Sequence, residues 1–369
     1  MSLNQEVITK EIPQAIGVIC PAGFKFSYSV DNVASSVRPR ILGWEVFVSM
    51  QEISTPEISQ QNLSLTQIAW RRFKRDKAAM FALGIVGIFI FLAIFANVFG
   101  WITHQDPYLF NEDAIDLDAG GVPIGPRSGQ STAHWLGVEP GTGRDLFMRF
   151  VHGARTSLVI AFISCAGTII LGTVIGLVAG YFGGKIEKVV GRVIDFILAF
   201  PFLLFVIAAT PVLENAFERF GMEQTPNFRI ATIISIFIFF GWTGTARIVR
   251  GQVLTLKEKE FIEAARLAGA SKWHIMFRQI LPNLSGPILV IASLALPSYV
   301  TAEAVLSYLN VGVIAPTSSW GATVLRSTSY FQVNPFYMLV PAVSLTVLVL
   351  AFNLFGDGVR DAFDPKGSR

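Results

Sequence analysis

Charge is what this sequence has least of. Asp, Glu, Lys and Arg make up 15% of its 369 residues while hydrophobic side chains make up 52%; a typical soluble domain is about 25% charged. The shortage is local. Residues 78–99, 157–182, 196–213, 230–246, 279–302 and 327–356 carry no charge at all, and each approaches the roughly 17–25 residues of a membrane-crossing helix. The competing explanation, core helices of a large soluble protein, fits poorly with so many uncharged runs of this length. Other absences narrow the function. Two cysteines, Cys20 and Cys165, give no disulfide framework. Cys165 reads as a small apolar filler of the second span, and no apolar run precedes Cys20 to suggest a lipid anchor. His104, His134, His152 and His274 have no ligand spacing, so no metal site is expected. No Ser–His–Asp or paired-carboxylate arrangement stands out, so no catalytic site is expected either. The phosphate-cradling G-x-x-x-x-G-K-[ST] loop is also missing, so the chain lacks that device for holding ATP.

What charge there is has a pattern. Lys and Arg gather at Arg71, Arg72, Lys74, Arg75 and Lys77, then at Lys185, Lys188 and Arg192. They gather again at Arg247, Arg250, Lys257, Lys259, Arg266, Lys272 and Arg278, and finally at Arg360, Lys366 and Arg369. The intervening loops are poorer, with Arg127, Arg144, Arg149 and Arg155, then Arg219 and Arg229, then Arg326. By the positive-inside rule both termini and the loop around 260–283 face the cytoplasm. The fold class expected is all-α: a polytopic membrane protein of six spans, drawn at about 78–99, 157–182, 194–213, 230–249, 284–306 and 338–356. The basic residues orient the chain in a lipid membrane, and no nucleic acid is expected as a partner.

Residues 1–65 form an N-terminal cytoplasmic segment without the apolar region of a signal peptide, and Pro13, Pro21, Pro39 and Pro56 break any long helix. Met50 heads a stretch with the look of a natural start, which would make residues 1–49 an upstream extension. An amphipathic helix is expected from about Ser64, with Leu65, Ile68, Ala69 and Phe73 at helical spacing and Trp70 at the interface, lying on the cytoplasmic leaflet. In span two, Gly167, Gly172, Gly176 and Gly180 form a small-residue stripe, the last three spaced by four, which permits close helix approach. Pro201 and Pro211 interrupt span three, and Pro287 and Pro297 span five. In the outer loop, Gly141 and Gly143 supply turn positions and Asp145 can cap the helix that enters span two.

The segment 260–283, EFIEAARLAGASKWHIMFRQILPN, is polar and basic between two apolar runs. A helix from about Leu254 is expected to end at Gly269 in the left-handed position, with Ala264, Ala265 and Ala268 offering a small-residue face. Ser271 would cap a second helix whose apolar face is Trp273, Phe277, Ile280 and Leu281, ended by Pro282. Two short helices meeting at a glycine form a rigid elbow that can transmit a push.

Glu263, Ala264, Ala265, Gly269, Leu281 and Pro282 resemble the cytoplasmic signature of the membrane subunits of ATP-binding-cassette importers, with Gln279 in place of the usual isoleucine. Residues 136–158, 302–321 and 352–365 resemble the dipeptide/oligopeptide and nickel permease branch, its C-type subunit in particular. The resemblance covers about residues 66–369 and implies the type I importer permease fold in a bacterial inner membrane. It implies that Glu260, Glu263, Ala264, Ala265, Gly269, Ala270, Leu281 and Pro282, within a coupling loop at 254–282, seat in a cytoplasmic ATPase. The implied partners are a second permease subunit, two such ATPases and an extracytoplasmic substrate-binding protein. ATP and Mg would be used by the ATPases, and this chain would bind no cofactor. Peptides are the leading substrate class; nickel complexes and oligosaccharides are the alternatives within the family. An ion-coupled secondary transporter is the alternative outside it, disfavoured by the near absence of ionisable residues at mid-span. Glu303, near the outer end of span five, is expected at the outer mouth or pathway, or bonded to the turn that follows it. Asp195 is expected to pair with Arg192.

Overall fold

The structure, a computed structural model, describes residues 40–41, 44–45 and 65–364 except Met222, Gln224 and Val333. The chain divides into two units, Met1–Leu63 and Ser64–Arg369. In the first, β1 (Arg40–Ile41) pairs antiparallel with β2 (Trp44–Glu45). The remainder of that unit, including Cys20, Met50 and the prolines, lies outside the described residues.

The second unit is helical. α1 (Leu65–Arg75) ends at Asp76, whose carboxylate accepts from the N–H groups of Ala78 and Ala79 and so caps α2 (Lys77–Ile94). α3 (Ala96–Thr103) follows, and a loop carrying the short antiparallel pair β3 (Ile115–Asp116) and β4 (Val122–Pro123) leads to α4 (Leu146–Phe182). The third apolar stretch is broken into α5 (Gly184–Leu198) and α6 (Phe202–Arg219), bent by 81°. α7 (Pro226–Leu256), α8 (Glu260–Leu267), α9 (Ser285–Tyr308), α10 (Trp320–Ser327) and α11 (Pro335–Phe363) complete the unit. Among the described residues five helices are long and apolar enough to cross a membrane, and six spans result when the bent pair is counted as one.

Span three is broken at Pro201, one of the two prolines expected to interrupt it, while Pro211 lies inside α6 without ending it. Pro201 lacks the N–H and its ring clashes with a helical carbonyl, so α5 stops and α6 restarts at a new angle. The expected amphipathic helix is α1, but its buried residues Ala69 and Phe73 pack on Ala79 and Ala362, with Phe355, Val359 and Phe363 alongside. Ala69 and Phe73 of α1 are thus packed on α11, while Ile68 and Trp70 remain exposed on its other side.

The glycine stripe has a definite partner. A Cβ on Gly172 would stand 2.7 Å from the Trp242 carbonyl oxygen, one on Gly176 2.7 Å from that of Ala246, and one on Gly180 2.8 Å from Val253 Cβ. These contacts advance together along both chains, so α4 and α7 run parallel and in register, backbone against backbone. The main core joins α2, α4, α9, α10 and α11 around Trp320, Phe352 and Val300. Gly286 of α9 abuts Phe363, and Leu284 packs with Leu177. α1, the 257–284 loop and the last described residues therefore lie at one end of the bundle, and the 104–145 loop lies at the other.

Candidate functional site

The loop between α7 and α9 carries most of the residues singled out from sequence. α7 stops at Leu256, three residues break the helix, and α8 starts at Glu260 with Lys259 as its N-cap; this corrects the continuous helix expected from Leu254. Gly269 takes φ +79° with nothing within 4 Å of where its Cβ would be. Its place in the turn is conformational rather than steric, because L side chains pay for this region and glycine does not. Ser271 then caps the next segment, its hydroxyl accepting from the His274 N–H at 3.2 Å. Helix does not end at Pro282. It passes from Lys272–His274 through a π-helical stretch, Ile275–Ile280, into Leu281–Asn283 and on to α9. The wider π turn carries the backbone past a proline that cannot donate and would clash in a tight α turn.

The buried side of this loop is Ile262, Ile275, Met276 and Ile280, packed with Leu177, Val249 and Val253 of α4 and α7. Ala265, Ala270 and Leu281 are half-buried against that cluster, while Glu260, Glu263, Ala264, Gly269 and Pro282 are exposed. Trp273 and Phe277, expected on one apolar face with Ile280 and Leu281, are instead stacked on each other at 5.6 Å on the exposed surface, while Ile280 is buried. Leu267 is 85% exposed and Trp273 61%. The elbow is thus anchored through one face and presents Leu267, Trp273 and Phe277 beside the carboxylates of α8 on the other. An apolar face without a partner, rimmed by charge, marks a site of protein contact.

The opposite end is built around Glu139. Its backbone N–H donates to the Arg144 carbonyl at 2.8 Å and its carbonyl accepts from Gly143 at 2.9 Å, closing a tight turn in which Gly141 and Gly143 have positive φ. A Cβ on Gly143 would stand 2.0 Å from the Asn111 carbonyl oxygen. The Glu139 carboxylate accepts from the Tyr337 hydroxyl at 2.5 Å and the Thr142 hydroxyl at 3.0 Å. It also pairs with Arg149 and Arg326, each at 3.2 Å. Burial alone would raise its pKa, but Arg149, then Tyr337, Arg326 and Thr142 together hold it below its ordinary value near 4.5. Asp145 caps α4, accepting from the Met148 N–H at 2.7 Å, and meets His134 Nδ1 at 2.9 Å. Burial raises its pKa above 3.8 against those bonds. Arg144 stacks over Phe110 at 4.3 Å. The sequence did carry a signal for this cluster: Arg149 and Arg326 stand beside apolar runs, where an unpaired cation is costly, but nothing in one sequence says that they share Glu139.

Glu303 is wholly buried between α4 and α9. Its carboxylate accepts from Ser157 at 2.6 Å and Ser307 at 2.7 Å, and the Ser307 oxygen accepts in turn from the Val313 N–H at 3.0 Å. The neighbouring Gly312 carbonyl accepts from Arg229 Nε at 3.0 Å, and Arg229 pairs with Glu214 of α6. A polar chain therefore crosses α4, α9, the turn after it, α7 and α6. Asp195 pairs with Arg247 of α7 at 2.8 Å rather than with Arg192, because α5 packs along α7.

Residues 172–369 match the family model described as binding-protein-dependent transport system inner membrane component, and residues 64–119 match that of the N-terminal TM domain of oligopeptide transport permease C. A dipeptide transport system permease protein of Alkalihalophilus pseudofirmus is 36% identical over 84% of this chain and 93% of its own length. Oligopeptide transport system permease proteins of Bacillus subtilis and Escherichia coli are each 35% identical over 84% of this chain, covering 92% and 94% of their own lengths. With its six spans and its outward-facing elbow, the chain belongs to the binding-protein-dependent transport system inner membrane component family and is a multi-pass permease subunit of that kind.

Proposed function

We propose that this chain forms one half of the translocation route of an ATP-driven importer of peptides in a bacterial inner membrane. Its partner across the route is a second permease subunit. Two cytoplasmic ATPases supply the force, using ATP and Mg, and an extracytoplasmic binding protein delivers the peptide. The termini and the 254–282 loop face the cytoplasm, as the placement of Lys and Arg favours. This chain holds no nucleotide and catalyses no reaction. The observation that carries the coupling role is the elbow itself. Its inner face is locked to α4 and α7 by Ile262, Ile275, Met276 and Ile280, while Leu267, Trp273, Phe277, Glu260 and Glu263 are offered outward. A push on that surface has no slack joint through which to dissipate, since Gly269 is fixed in a capped turn and α8 packs on the α4–α7 pair. Residues 66–369 act as the transmembrane domain in this reading, and residues 1–65 precede it.

Reconstitution with the ATPases, the second permease and the binding protein tests the proposal. Gly269→Asp and Glu263→Arg are expected to abolish ATP-coupled peptide uptake and to weaken co-purification of the ATPases. Full uptake and full association in both variants would remove the coupling role from this loop. The dipeptide and oligopeptide permeases matched over most of their length favour peptide over nickel or oligosaccharide as cargo.

A further inference from the structure

The break in span three leaves backbone acceptors open. The Ala199 N–H donates to Asp195 and Phe196, the Phe200 N–H to Ile197, and the Phe205 N–H to Pro201. Among the described residues no backbone N–H reaches the carbonyls of Ala199 or Phe200. Phe200 is 43% exposed, so the break lies on the surface of the chain. Each unsatisfied backbone group facing hydrocarbon costs several kcal/mol, and irregular backbone at membrane depth is found only against protein or water.

A second observation lies on the same side. On α7, Phe240, Gly244, Arg247 and Gly251 share one face by helical spacing. Phe240 meets Phe202 and Phe205 at the start of α6, with ring centroids 5.4 and 5.0 Å apart. Arg247 meets Asp195 below the break, and the pair is open, with side-chain exposures of 56% and 74%. Gly244 lies between these two contacts, is exposed, and has nothing within 4 Å of its Cβ position. Arg247 stands near the elbow-side edge of the fourth span, so its open pair with Asp195 sits at the mouth of the break. Lipid would penalise the open carbonyls.

We propose that the break between α5 and α6, together with Gly244 and the Asp195–Arg247 pair, forms a peptide-contact notch on the water-filled translocation route. The proposal deepens the peptide-importer reading and rests on it. The carbonyls of Ala199 and Phe200 accept from the N–H groups or terminal ammonium of a passing peptide. The bare backbone at Gly244 leaves room for a side chain of any size, and the Asp195–Arg247 pair offers both charges to a zwitterion. Contacts to backbone and termini ignore side-chain identity, which suits a carrier of many peptides.

The test is thiol accessibility in the assembled transporter in proteoliposomes. Cys20 and Cys165 are replaced by serine, and Phe200→Cys, Gly244→Cys and Ile88→Cys are introduced singly. Ile88 is 60% exposed on α2, in an uncharged run. A membrane-impermeant methanethiosulfonate reagent is expected to modify Phe200→Cys and Gly244→Cys but not Ile88→Cys. Trialanine, with binding protein and ATP, is expected to remove most of that modification. Two silent positions behaving like Ile88→Cys would overturn the proposal, because lipid or the second permease would then cover the break. Modification that a transported peptide leaves unchanged would overturn it equally. Modification at both positions in a transporter that takes up no peptide would uphold the water-facing notch and refute the peptide reading instead.

Discussion

Replacing Gly176 with alanine separates packing from propensity at the α4–α7 contact. The added Cβ would stand 2.7 Å from the Ala246 carbonyl oxygen and 2.9 Å from Val249 Cβ. Ordinary contact begins near 3.4 Å, so the helices must part locally by about 0.7 Å (3.4 − 2.7). A gap of 0.5–1 Å forfeits roughly a quarter to a half of each dispersion contact, and backbone oxygen cannot rotate aside as a side chain can. Overpacking of this kind costs about 1–3 kcal/mol, against which alanine recovers up to about 1 kcal/mol of helix propensity. The net cost after full recovery, about 0–2 kcal/mol, corresponds to a fall in Tm of up to roughly 4 °C, read by circular dichroism at 222 nm in detergent. Gly87→Ala is the control: nothing lies within 4 Å of its Cβ position, so propensity acts alone and Tm should hold or rise. A Tm for Gly176→Ala equal to or above that of Gly87→Ala would refute the close-approach argument.

Other substitutions probe the two ends of the bundle. At Gly269 the strain is in φ alone, so Gly269→Ala should cost about 1–2 kcal/mol locally and Gly269→Asn less; limited proteolysis of the loop should be faster for alanine and near normal for asparagine. Glu139 has its pKa held below 4.5, so its stabilisation is complete above that value and is lost as pH falls through the folded-state value. The Tm difference between the unmodified chain and Glu139→Gln should therefore be constant above about pH 5 and shrink on acidification. Asp145, raised above 3.8, acts in the opposite sense: its contribution is present below 3.8 and is lost as pH rises through its folded value. A Tm difference that grew on acidification would contradict the Glu139 assignment. Glu303→Ala removes the acceptor for Ser157 and Ser307 and should destabilise by about 2–4 kcal/mol, whereas Glu303→Gln retains bonding capacity and should cost less; equal Tm values for the two variants would show that the bonds carry no weight.

Much of the fold was legible because membranes enforce simple rules. Uncharged runs marked the spans, and the Gly172–Gly176–Gly180 spacing marked the helix face that now lies against α7. Gly269 and Ser271 gave the elbow through turn and capping chemistry, which is local in sequence. What was not legible depended on tertiary placement. Trp273 and Phe277 share one apolar face by helical spacing, yet it is Ile275, Met276 and Ile280 that pack on Leu177, Val249 and Val253. Spacing alone does not say which face of a short helix meets its own chain. Asp195 had a local candidate in Arg192, but the 81° bend laid α5 along α7 and gave it Arg247. The bend in turn followed from Pro201, whose consequence for direction no periodicity reveals. Glu139, Arg149, Arg326 and Tyr337 are far apart in sequence and meet only after α4, α10 and α11 have packed.

The cross-links of this bundle are unevenly spread, and that sets where it is stiff. Toward the 104–145 loop, Glu139 binds α4, α10 and α11 through buried groups, and Glu303 begins the chain that reaches α6. Toward the elbow, the ion pairs Asp195–Arg247 and Glu187–Arg250 are partly or largely open to solvent, where such pairs are worth about 0–1 kcal/mol. Because the elbow is packed tightly on α4 and α7, the three move as one body. That body is tied firmly to the other spans near the 104–145 loop and only loosely to α5 near the elbow, so its swing grows toward the elbow. Amide hydrogen exchange should accordingly decline from the elbow end toward the Glu139 end along α7. Small angular play near the Glu139 end becomes ångström-scale travel at the surface carrying Leu267, Trp273 and Phe277.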